Sequence, residues 1–180
     1  MKLTFITTNK NKVREANEIA EAYGIELEQY DFDYPEIRSE SIEEVAREGA
    51  EVCFKEVGKP LIVEDSGFFI ETLGGFPGTY SAFVHNKIGN GGLLRIMDGK
   101  TNRMAEMRAC VAYHDGESVK TFAGAVKGVL AEKERGAGGF GYDPIFIPEG
   151  HEKTFAEDSE TKSKISHRKR AFVKLFENLK

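Results

Sequence analysis

Tryptophan is absent from this chain of 180 residues, and cysteine occurs only twice. The first absence decides nothing about function. The second is more useful, because Cys53 and Cys110 lie in separate apolar segments without the paired spacing that zinc or redox chemistry needs; both are expected to be buried thiols. No apolar run approaches the length that crosses a bilayer, and the chain opens on strand-like sequence rather than an apolar leader, so a soluble, cytoplasmic protein with no membrane partner is expected. An excess of positive charge is also missing. With 25 Lys and Arg against 30 Asp and Glu, the formal net charge of −5 argues against a surface that tracks nucleic acid. There is no G-x-x-x-x-G-K-[ST] loop, no internal repeat, no linker and no low-complexity tract. A chain of this size buries a core without disulfides or metal staples, which predicts a single folding unit over residues 1–180.

What is present alternates between strand and helix patterns. Lys2 to Ile6 is rich in β-branched and aromatic residues and predicts an opening strand. Val13, Ala16, Ala20 and Tyr23 then recur at helical spacing, with Gly24 where a C-terminal cap belongs. Thr7, Thr8, Asn9, Lys10, Asn11 and Lys12 therefore occupy a strand-to-helix turn. Ser41 to Glu44 has the form of a capping box for a second helix, with Ile42, Val45, Ala46, Gly49, Val52 and Cys53 on one face and a stop at Gly58 to Pro60. Leu61 to Val63 is an unbroken apolar run closed by Glu64, Asp65, Ser66 and Gly67, the pattern of a buried strand ending in carboxylates. In an open α/β sheet, ligands sit at such ends. Residues 74–80 predict a loop, followed by a helix ending near Met97. From Arg103 to Leu130 the period becomes two, with a turn at Asp115 and Gly116, which predicts a long hairpin in a second lobe. Gly136 to Asp143 predicts a glycine-rich loop, Pro144 to Ile147 a short strand, and Ser166 the cap of a last helix with Ala171, Phe172, Leu175, Phe176 and Leu179 as its buried stripe.

Four polar clusters stand out, and each has two explanations. The turn from Thr7 to Lys12 is either a solvated cap or an anion site at a helix N-terminus, where backbone N–H groups, hydroxyls, amides and ammonium groups converge. Glu64 and Asp65, with Glu36 from a neighbouring loop, are either salt-bridged turn residues or acids awaiting a cation; magnesium suits carboxylates, water and phosphate oxygens. Phe140, Gly141, Tyr142 and Asp143 either anchor their loop or present aromatic faces and a carboxylate to a nucleobase. His167 and Arg168, with Lys162 just before them, put cations in the first turn of a helix. That opposes the helix dipole unless an anion or another acceptor compensates.

In this order the segments Thr7–Lys12, Tyr34–Glu36, Val63–Gly67, Gly74–Ser81, Phe140–Pro144 and Lys162–Arg168 resemble the inosine triphosphatase family over essentially the whole chain, in an archaeal rather than a bacterial form. These XTP/dITP pyrophosphatases hydrolyse noncanonical purine nucleoside triphosphates to the monophosphate and pyrophosphate. The resemblance implies an elongated mixed α/β sheet with flanking helices, two lobes around a substrate cleft, dependence on Mg2+ and a homodimer. It implies metal binding by Glu36 and Asp65, with Asp65 also the general base. Substrate binding is implied for Thr7, Thr8, Asn9, Lys10, Asn11, Lys12, Ser66, Phe140, Gly141, Tyr142, Asp143, Lys162, His167 and Arg168. Two departures appear: the helix that carries an N-A-x-x-K-A lysine in many bacterial members reads Ala46 to Cys53 without it, and Tyr-Ser-Ala-Arg becomes Tyr80-Ser-Ala-Phe83. A nonenzymatic nucleotide binder and a phosphatase or Maf-type pyrophosphatase are the rival classes.

Overall fold

The computed structural model describes residues 1–180. Seven strands and five α-helices form a mixed α/β fold in which helices flank a central sheet. The strands are β1 (Lys2–Ile6), β2 (Glu26–Tyr30), β3 (Leu61–Ile70), β4 (Pro77–Gly78), β5 (Met104–His114), β6 (Val119–Leu130) and β7 (Phe146–Pro148). The helices are α1 (Lys10–Glu21), α2 (Ile42–Val57), α3 (Ser81–Ile96), α4 (Ser159–Ile165) and α5 (His167–Asn178). The sheet order is β2-β1-β3-β5-β6-β7, with β4 paired to β3. No helix is long and apolar enough to cross a membrane.

The chain divides into two compact units. One comprises Met1–Ser66, Ala109–Gly124 and His167–Lys180; the other comprises Gly67–Arg108 and Ala125–Ser166. The predicted hairpin is thus shared, with its tip in the first unit and its base in the second. At the tip, Asp115 Oδ1 accepts from the N–H groups of Glu117 and Ser118, at 2.9 Å each, which closes the turn without help from a distant residue.

In the first unit β1 runs parallel to both β2 and β3. Phe5, Ile62, Val111, Phe172, Leu175 and Phe176 fill its core, and the Phe5 and Phe172 rings meet edge to face at 5.6 Å. The helical stripe expected in the last segment is therefore the face by which α5 joins this core. Gly124 of β6 permits its close approach: a Cβ there would lie 2.2 Å from the carbonyl oxygen of His167 and 2.6 Å from the N of Ala171. In the second unit Phe68 stacks on Tyr142 and meets Phe146 edge to face, and Leu93, Met97, Met107 and Phe155 complete the core.

Several local expectations change. β3 does not end at the acids but continues through them to Ile70. Its backbone finds new partners beyond Ser66: Phe68 and Phe69 pair with Gly78 and Pro77, and Phe68 N–H donates to Ser81 Oγ at 2.7 Å. Residues 77–78 are accordingly a short strand rather than loop. Asp143–Ile145 is a single 3-10 turn before β7, and Asp158 caps α4, a helix that the mixed charges of residues 152–164 concealed.

Candidate active site

The register of β1 on β3 explains why Glu64 and Asp65 are available in the middle of a strand. Thr4, Phe5 and Ile6 pair with Leu61, Ile62 and Val63, and there β1 ends. The chain turns into α1 just where β3 reaches its carboxylates. Asn9 is the N-cap of that helix, its Oδ1 accepting from the N–H groups of Asn11 (2.9 Å) and Lys12 (3.3 Å), while Thr7 Oγ1 accepts from Asn9 N–H at 3.1 Å. Thr8 and Lys10 are exposed, and Asn11 is half-buried.

Lys12 points back to β3. Its Nζ donates to the Glu64 carbonyl oxygen at 2.9 Å and lies 2.9 Å from Glu64 Oε2. On the other side, Arg168 from the first turn of α5 sends Nη2 to Glu64 Oε1 (3.1 Å) and Ser66 Oγ (3.1 Å), and Nη1 to Glu15 Oε2 (2.6 Å). The side chain of Glu64 has no solvent exposure and Arg168 is 1% exposed. Burial would raise the Glu64 carboxyl, but Arg168 and then Lys12 outweigh it and hold it down at about 2. The compensation missing at the start of α5 thus comes from two carboxylates, which neutralise a cation that the helix dipole disfavours.

Asp65 stands one residue further and behaves oppositely. Burial pushes its carboxyl up to about 7; Lys12 works against this, while Glu64 and Glu36 reinforce it. Its Oδ2 is buried with no hydrogen-bond partner within the chain. A buried carboxylate oxygen left open, beside two further acids, is suited to a hard cation. The fit is incomplete by itself: no group of three or more His, Cys, Asp or Glu side chains is placed to hold a metal ion, so water or phosphate oxygens would have to complete the shell. Glu36 is exposed, on the irregular segment between β2 and α2. That segment is anchored by Tyr34, whose ring lies so close to α2 that a Cβ at Gly49 would be 2.9 Å from Tyr34 Cε2. On the helix that lacks the bacterial lysine, an aromatic ring covers this position.

All of the remaining predicted residues except His167 form a second set within the other unit. Asp143 Oδ2 accepts from Phe140 N–H at 2.7 Å and from Lys162 Nζ at 2.6 Å, and Lys162 Nζ stands 4.5 Å from the centre of the Phe140 ring. Tyr142 points inward; it is 7% exposed, stacks on Phe68 and donates its hydroxyl to the Ser81 carbonyl at 2.8 Å. It and Asp143 shape the loop, leaving half-buried Phe140 and Gly141 as its more accessible members. His167, in the first unit, is buried at 6% exposure and its charge lowers the Glu64 carboxyl.

Glu15, Tyr34 and Asn90 also belong beside these residues, and the sequence motifs do not mark them as site residues. Glu64 is visible in the sequence as one of the paired acids, and its salt-bridged alternative is the one that holds; of the others only Glu15 carries a usable signal, lying three residues after Lys12 on the same turn of helix.

A profile of the Ham1 family matches residues 3–178. The chain belongs to the Ham1 family. It is 52% identical over 179 residues to the dITP/XTP pyrophosphatase of Methanopyrus kandleri, covering 98% of this chain and 95% of that protein. It is 48% identical over 185 residues to the dITP/XTP pyrophosphatase of Thermococcus kodakarensis, covering both in full. Among solved structures, the Ham1 protein of Staphylococcus aureus superposes with a TM-score of 0.85 at 30% identity, over 99% of this chain and 98% of that one. These matches agree with the family resemblance, and the sources of the two pyrophosphatases agree with its archaeal form.

Proposed function

We propose that the chain hydrolyses noncanonical purine nucleoside triphosphates (ITP, dITP and XTP) to the monophosphate and pyrophosphate. The observation that carries this reading is Asp65, a buried carboxyl with an open oxygen and a value raised to about 7, set beside the lysine-bearing N-terminal turn of α1. Such a group is a far better acceptor for a water proton than an ordinary carboxylate. Glu36 and Asp65 would hold magnesium, which when bound would screen the phosphates and favour departure of pyrophosphate.

Each residue has a role in this scheme. Asp65 orients a water and takes its proton as the oxygen bonds to the α-phosphorus, and the bond from that phosphorus to the bridging oxygen breaks. Lys12, with Thr7, Thr8, Asn9, Lys10 and Asn11, receives the triphosphate. Lys12 is already ion-paired to Glu64, so its position is fixed before substrate arrives. Phe140 stacks on the base, supported by Gly141, Tyr142, Asp143 and Lys162, while Ser66 and His167 contact the substrate and Arg168 reads the base edge. The protein acts in the cytoplasm as a homodimer and binds neither nucleic acid nor membrane. Exposed Phe76, Tyr80 and Phe83 offer part of the dimer surface.

The test is an assay of purified protein with ITP and Mg2+ that resolves inosine monophosphate plus pyrophosphate from the diphosphate plus orthophosphate. The first pair is expected. The second pair would make the protein a phosphatase, and tight binding without turnover would make it a nucleotide binder.

A further inference from the structure

Helix α3 carries a break that its sequence pattern does not require. Gly89 has φ 62° and ψ −174° in the middle of it, a conformation closed to other residues, and the helix resumes at Asn90. Asn90 is 7% exposed. Its Nδ2 donates to the Gly141 carbonyl at 3.0 Å and stands 3.5 Å from Glu134 Oε2. The facing carbonyl fixes which amide atom is nitrogen. Its Oδ1 is buried and has no hydrogen-bond partner within the chain.

That combination is a poor device for stability. A buried acceptor left unpaired costs at least as much as one neutral hydrogen bond returns, so an apolar side chain of the same shape would serve the core as well or better. What the amide does supply is a fixed point on the glycine-rich loop. Gly141, at φ 61°, links Phe140 to Tyr142 in the left-handed conformation that favours glycine. Tyr142 is held by Phe68 and Ser81, and Phe140 N–H is held by Asp143. The peptide between them is held by Asn90.

We propose that Asn90 is a positioning residue for the substrate base, fixing the Gly141 carbonyl and thereby the stance of the Phe140 ring. This rests on the assignment of Phe140 as the stacking partner of a purine. The Gly89 break is the backbone arrangement that leads into Asn90, and the Gly141 carbonyl, which needs a donor, is what selects asparagine.

Asn90→Leu and Asn90→Asp test it. The leucine variant keeps the approximate shape without the donor; the aspartate variant turns the donor into an acceptor against the Gly141 carbonyl. Both are expected to fold, with the leucine variant melting no lower than wild type. Amide hydrogen exchange over residues 138–142, measured without substrate, is expected to quicken roughly tenfold. KM for ITP should rise roughly tenfold with kcat within about twofold, the mark of lost ground-state positioning. In a Phe140→Ala background, Asn90→Leu should add less than about twofold to KM, because the group it positions has gone. Unchanged exchange and KM in both variants, or effects that multiply fully with Phe140→Ala, would overturn the proposal while leaving hydrolysis intact. Wild-type protein that neither binds nor hydrolyses ITP would overturn the functional reading and this proposal together.

Discussion

Replacing Asp65 by asparagine is expected to make the metal-free protein more stable and nearly inactive at once. The folded carboxyl stands near 7, against an ordinary 3.8, because burial opposes its charge. Between those values the unfolded chain ionises and the folded one does not, so the folded state holds the extra proton and stability falls as pH rises. Below pH 4 the group contributes nothing; above pH 7 the full loss is present and constant. The difference is worth about 4 kcal/mol at 1.36 kcal/mol per pH unit. For a chain of this length that corresponds to roughly 10 °C in Tm. Asparagine carries no charge to bury, so a calorimetric comparison in EDTA should show the variant's advantage opening between pH 4 and pH 7 and level above it. Magnesium should raise the wild-type Tm and leave that of the variant nearly unchanged. Turnover of ITP should fall by orders of magnitude, since an amide accepts no proton from water. A variant equal to or less stable than wild type at pH 8 without metal would refute the account of Asp65 as a charge held in the interior at a cost.

Other outcomes follow from the same geometry. Glu36→Gln should raise the magnesium concentration needed for half-maximal rate with little change in Tm, because Glu36 is exposed; an unchanged titration would make it structural. Arg168→Ala should lower kcat/KM for ITP and XTP more than for ATP, whose 6-amino group offers a donor where the others offer an acceptor. It also takes the arginine from Glu15 and leaves buried Glu64 with Lys12 alone, so a stability loss of about 3 kcal/mol is expected beside the altered selectivity. Equal loss on all three nucleotides would restrict Arg168 to holding its two carboxylates. Sedimentation at micromolar concentration should give a dimer, and Phe83→Glu should weaken it; a wild-type monomer would remove the dimer assignment.

Local chemistry was legible in the sequence because it depends on neighbours a few residues apart. Asn9 and Ser41 cap their helices, Gly58 ends α2 in the left-handed conformation, and Asp115 closes the hairpin, each through contacts within four residues. The buried stripe of α5 followed from period alone. The same locality explains the misplaced end of β3: an apolar run meeting two carboxylates looks finished, and only β4 and Ser81, brought in from further along the chain, show why it continues. The state of the site was decided by tertiary structure. Arg168 reaches Glu15 across 153 residues and Glu64 across 104. Neither the low value of Glu64 nor the high value of Asp65 can be read from two adjacent acids in a sequence. Adjacent residues on a strand face opposite ways, so Glu64 meets Lys12 and Arg168 while Asp65 keeps an oxygen without a hydrogen-bond partner. Charge, burial and distance set a carboxyl's proton affinity, and all three are properties of the folded chain.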